Sequence, residues 1–191
     1  HTLKVRVTER SPVAQVNVPT AGGAGGIAVS VFQVDVNGYV MQPLDSRLST
    51  IPLAQMSEQL PVITGLNVYQ LQPGHRVESP QVQAALALIG AFDHSPMAGL
   101  VNLRRVDVSS PGVVVATTGQ GSEITFALDQ LEQQLARWRK IYDWGQTMSK
   151  TIASADLAVA NNVPVRWMAS TVAPVTPPKN SNPNKPRRRN V

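Results

Sequence analysis

The chain has 191 residues, enough for one sizeable hydrophobic core, and its modest charged and aromatic content is that of an ordinary globular protein. It has no cysteine, which excludes a disulfide framework, thiolate metal sites and cysteine nucleophiles. The net charge of +5 sits at the end: five of the seventeen basic residues (Lys179, Lys185, Arg187, Arg188, Arg189) follow Thr171 with no acid among them, which leaves twelve bases against twelve acids in residues 1–170 and no basic excess for binding nucleic acid.

The chain begins at His1, and the residues after it alternate instead of forming the apolar block of a signal peptide. It therefore reads as a piece of a longer protein, with any anchor or export signal upstream. No run reaches the roughly 18–20 apolar residues of a membrane span, and Ala84 to Phe92 is the longest. Leu3, Val5 and Val7 share one face of an expected strand over the first nine residues, and the segment through Ala14 continues it, with Pro12 at an edge or end. The glycine-rich run Ala21 to Gly26 is a candidate boundary or a loop insertion. Ile27 to Val36 reads as a strand, Asn37-Gly38 as a tight hairpin turn, and Tyr39-Val40-Met41 as the return strand.

Residues 42–59 carry no regular pattern, and Leu60 to Gly65 is a short apolar piece. Ser79-Pro80 opens a helix, with Val82, Ala85, Leu86 and Ile89 on its buried stripe and Gly90 at its end. Strands are expected over Val101–Val108, Val113–Thr118 and Glu123–Leu128. Asp129 and Glu132 have capping-box spacing before a second helix whose stripe is Leu131, Leu135, Trp138 and Tyr142, closed by Gly145. Ile152–Val159 and Val163–Met168 complete the pattern as strands joined around Asn161-Asn162. After Ser170 the composition turns to proline, asparagine and basic residues, so 171–191 is expected to be a disordered tail with the charge to contact anionic surfaces. Together these elements make an α+β fold, a largely antiparallel sheet with two main helices packed on one face.

No catalytic constellation stands out. His1, His75 and His94 form no HxxxH or HxH pair, no carboxylates have ligand spacing, and no GxSxG or SxxK motif occurs. Gly119-Gln120-Gly121 is too short to cradle a phosphate. Leu60-Pro61-Val62-Ile63-Thr64-Gly65 differs from a sortase signal in having two residues between proline and threonine. The expected catalytic, metal and cofactor sets are therefore empty.

The functional content lies in the last hairpin. If Val163–Met168 is the final strand, one of its edges is open to a strand from another protein. Pro164 reads two ways, as a residue that suits an edge strand or as one that blunts an edge. Trp167 likewise is either an interface anchor or a core residue under the second helix.

Several segments in order resemble the FtsQ/DivIB family of bacterial cell-division proteins. Thr2 to Ala14 is similar to the stretch TLxVxVxERxPVA that ends the family's POTRA domain, and Asp35 to Val40 resembles the hairpin that opens its β domain. Leu60 to Gly65, Phe126 to Arg137, and Ala155-Asp156-Leu157 through Val163, Val165 and Trp167 resemble later blocks in the same order, so the resemblance spans residues 2–168. It implies the end of a POTRA domain at residues 1–18, a β domain at 27–170 and a tail at 171–191. It further implies a non-catalytic scaffold, single-pass in the inner membrane with this part extracytoplasmic. Such a scaffold binds FtsB- and FtsL-type partners by strand addition and helps control septal peptidoglycan synthesis.

By position, Val159, Asn161, Asn162 and Trp167 fall where the family meets FtsB, and Val163 and Val165 complete the expected partner-binding strand. Two departures stand out: the family's Arg-Tyr after Asp-Leu is Ala158-Val159 here, and its Gly-Arg before the second helix is Leu128-Asp129. The other reading is a different POTRA-linked protein of envelope assembly or secretion.

Overall fold

The computed structural model describes residues 4, 9–21, 27–42 and 60–168, so most of the strand expected over the first nine residues, and the basic tail, lie outside the described residues. Nine strands form one sheet: β1 (Pro12–Ala21), β2 (Ile27–Asp35), β3 (Val40–Met41), β4 (Val62–Thr64), β5 (Leu103–Asp107), β6 (Val113–Thr118), β7 (Glu123–Ala127), β8 (Ile152–Asp156) and β9 (Val165–Trp167). Their order across the sheet is β3-β2-β1-β4-β5-β6-β7-β8-β9. The hairpin pairs β1–β2, β2–β3, β5–β6, β6–β7 and β8–β9 are antiparallel, whereas β1–β4, β4–β5 and β7–β8 are parallel. Two helices, α1 (Pro80–Asp93) and α2 (Leu131–Thr147), touch each other and strands of the sheet. This is the expected α+β architecture. None of the helices in the described residues is long and apolar enough to cross a membrane.

Alternation builds the core. In β6 and β7 every second residue is buried, which puts Val114, Ala116, Ile124 and Phe126 under the helices. Trp138 of α2 is sealed between Phe126 of the sheet and Phe92 of α1, with ring centroids 5.9 and 6.0 Å away. That packing explains why α1 runs three residues past Gly90, where the sequence pattern ends it: Phe92 must reach Trp138, and Gly90 keeps helical backbone. Ser79 caps this helix as expected, its side chain accepting from the Val82 N–H, with Pro80 at the first position.

The start of α2 is built differently from the expected capping box. Gln130 precedes the helix in the left-handed region (φ 51°), and no side chain caps it. Buried Gln134 reaches back instead: its Oε1 accepts from Ala127 N–H at 2.9 Å, and its Nε2 donates to the carbonyls of Asp129 at 2.6 Å and Ala127 at 3.3 Å. At the other end the helix continues through Gly145 to Thr147.

Residues 12–18, which the resemblance assigns to the end of a POTRA domain, lie in β1, and β1 sits inside the sheet between β2 and β4. The pairing of β1 with β2 runs from Pro12↔Asp35 to Ala21↔Ile27, so the glycine-rich run connects the two arms of one hairpin. At the far end of that hairpin the Asp35 carboxylate accepts from the N–H groups of Asn37 (2.9 Å) and Tyr39 (2.8 Å), and Gly38 turns the chain at φ 86°. Arg10 pairs with the same carboxylate at 2.5 Å and stacks over the Tyr39 ring. Burial alone would raise the Asp35 carboxyl, but these donors and the Arg10 charge hold it below its ordinary value.

Candidate functional site

A sheet has two margins, and this one treats them differently. At β3 the margin is closed by the chain itself: Val40 N–H donates to His75 O (2.9 Å), Gly74 N–H to Val40 O (2.8 Å) and Val77 N–H to Gly38 O (2.9 Å). Arg76 fastens this cover by donating from Nε to Asn37 O at 2.8 Å. At the opposite margin β9 pairs only with β8, and no strand lies beyond it among the described residues.

The polarity of the β9 backbone can be read from its bonds. Pro164 O accepts from Asp156 N–H at 3.1 Å, and Met168 N–H donates to Thr151 O at 2.8 Å. In an antiparallel pair the N–H and C=O of one residue point the same way and successive residues alternate. Residues 164, 166 and 168 thus turn towards β8, and Val165 and Trp167 turn their backbone groups outward. The missing N–H of Pro164 falls on the β8 side, where Asp156 uses only its carbonyl. Pro164 therefore removes no donor from the outer row.

Side chains alternate in the other sense. Val165 and Trp167 pack against the core on the helix-bearing face, and Arg166 is exposed on the opposite face. Trp167 is half-buried, neither sealed in the interior nor free. It stands edge-on to Trp144 of α2 (centroids 5.5 Å apart, planes at 72°), and Trp144 is 56% exposed. A Cβ on Gly145 would come within 2.7 Å of Trp167 Cζ3, so the glycine is what lets the edge of the indole approach the helix. The sequence pattern flagged Trp167 but passed over Trp144, which falls off the Leu131–Tyr142 stripe. A tryptophan on the polar side of an amphipathic helix was the available signal.

No family model matches the chain, and no curated protein matches it significantly.

The remaining sequence-selected residues lie in the connection before β9. The expected strand Ile152–Val159 stops at Asp156, because the chain there is pulled into an eight-residue loop, 157–164. Asp156 Oδ1 accepts from Ala158 N–H at 3.1 Å. Arg137 of α2 then gathers three loop carbonyls, donating from Nη2 to Leu157 O (2.9 Å) and from Nη1 to Val159 O (2.9 Å) and Ala160 O (3.0 Å). Asn162 turns the chain back at φ 55°, a conformation asparagine tolerates. Val159, Asn161 and Asn162 are exposed in the loop that precedes β9, and Trp167 lies at the other end of that strand, so they do not form a single cluster.

The histidines in the described residues take structural roles: His75 lends its carbonyl to the closed margin, and His94 Nδ1 lies 3.0 Å from Gly90 O. Among the described residues no group of His, Asp or Glu is arranged to hold a metal ion.

Proposed function

We propose that this chain is the extracytoplasmic part of a cell-division scaffold of the FtsQ/DivIB type, single-pass in the inner membrane, which captures FtsB- and FtsL-like partners and does no chemistry itself. One observation carries the proposal: β9 presents the outward N–H and C=O groups of Val165 and Trp167 at a margin with no further strand among the described residues, while the other margin is covered. An extended partner segment can add there, with backbone hydrogen bonds for affinity and flanking side chains for specificity. The order of the motifs from residue 2 to 168 supports the same reading. The replacement of the family's Arg-Tyr by Ala158-Val159 bears on side-chain contacts; backbone pairing depends little on it.

The test is capture of an FtsB-like segment by the chain and by Trp167→Glu, together with midcell position of the full-length protein carrying each. The expected result is at least about a ten-fold loss of capture, since aromatic anchors at interface centres cost roughly 2 kcal/mol or more on truncation, and loss of the midcell signal. Unchanged capture by a folded Trp167→Glu protein would refute the edge as the docking site.

A further inference from the structure

Backbone pairing alone is indifferent to the sequence of the incoming strand, but the flanks of β9 are not. On the helix-bearing face Val165, Trp167 and the exposed ring of Trp144 make an apolar shelf wider than one residue. On the opposite face Arg166 stands between them, exposed and in no ion pair among the described residues. Its cross-strand neighbour on β8 is Ser154, and behind Ser154 on β7 comes Glu123, two strands away. Asp156, diagonal to Arg166, commits Oδ1 to Ala158 N–H. Among the described residues the guanidinium is thus unneutralised and open along the margin.

A strand laid against β9 shares its pleat. Its residues beside Val165 and Trp167 fall on the helix side, and the residue between them falls beside Arg166, with Cβ atoms of facing pairs about 4.5–5.5 Å apart. We infer that β9 selects an extended protein segment in which an acidic residue stands between two apolar ones. Arg166 reads the acid, and the Trp144–Trp167 pair takes an apolar neighbour. The inference rests on the strand-addition reading above and specifies its partner.

The probes are two blocked extended peptides, identical except for a central glutamate or lysine flanked at alternate positions by isoleucine. Each is titrated at low salt against the full chain and its Arg166→Glu variant, with amide exchange at Val165 and Trp167 followed in parallel. The expected result is a preference on the order of five-fold for the glutamate peptide, as for a cross-strand charge pair, and its reversal in Arg166→Glu. Both peptides should slow exchange of the two outward amides. Equal affinities with both amides protected would overturn the selectivity and leave strand addition standing. If neither peptide protects those amides, the edge itself is wrong and the selectivity falls with it.

Discussion

Gly145 shows how a single position can invert an intrinsic preference. In a helix interior, alanine is favoured over glycine by about 1 kcal/mol. Here an added Cβ would meet Trp167 Cζ3 at 2.7 Å and Lys150 O at 2.8 Å, and the carbonyl has little room to yield because the chain there is held by the Lys150 N–H to Gly145 O bond. Overpacking of this kind costs about 1–3 kcal/mol, so Gly145→Ala is expected to lower the denaturant midpoint, with a change in tryptophan fluorescence as the indole is displaced. A raised midpoint would mean that the ring does not lie on the glycine. Asp35 and Asp107 act through pH. Burial would raise the Asp107 carboxyl, but Ser109 and Thr64 donate to it and bring it below the ordinary value, as Arg10, Tyr39 and Asn37 do for Asp35. With folded-state values depressed, their stabilisation is fully present above the unfolded value near 3.8 and is lost as pH falls through the folded values. The stability gap between the wild type and Asp35→Asn should therefore be widest above about pH 5 and close in acid. A gap independent of pH, measured by denaturation across that range, would exclude the ion pair as its cause.

Among the elements, the helices and hairpins were legible because their signals are local. Ser79-Pro80, Asn37-Gly38 and the alternation of Val113–Thr118 each declare themselves within a few residues, and the structure honours all three. The start of α2 was not legible in the same way. Asp129 and Glu132 have the right spacing for a capping box, but the part-buried backbone bonds at that junction are made by Ala127 and Asp129, and they go to a side chain one turn into the helix. A glutamine at that place looks like any solvent-facing residue in the sequence. Gln134→Ala should expose the difference: it removes the partner of two carbonyls and an N–H in a part-buried junction, at a cost of about 1–3 kcal/mol, since water reaches the more exposed of these groups. Asp129→Ala, whose exposed side chain makes no bond in the described residues, should stay within about 0.5 kcal/mol. Thermal unfolding of the two variants decides between the glutamine clasp and the capping box, since the latter demands the opposite ranking. The loop before β9 escaped for a related reason, as Arg137 holds carbonyls twenty or more residues away and leaves no periodic trace.

At the scale of the whole molecule, the sheet's order depends on pairings that sequence patterns cannot express. Three residues of β4 join the β1–β2–β3 group to β5 by parallel pairing on both sides, and nothing in Val62-Ile63-Thr64 announces two parallel neighbours. Gly65 makes the join possible, because a Cβ there would strike Ser109, which Asp107 holds next to the strand. That join makes one nine-stranded sheet with its two margins far apart in the chain, one covered by residues 74–77 and the other formed by β9. Because backbone direction alternates along β9, proline can probe the outer row alone. Val165→Pro deletes a donor that points away from β8, whereas Arg166→Pro deletes one that points into the β8–β9 ladder. The first variant should keep most of its thermal stability and lose capture of an added strand by about ten-fold, the worth of roughly one outward hydrogen bond. The second should lose stability together with capture. If Val165→Pro captured the segment as well as the wild type did while Arg166→Pro stayed folded, the row of groups facing outward would be the even-numbered one, and the margin would have been read in the wrong phase.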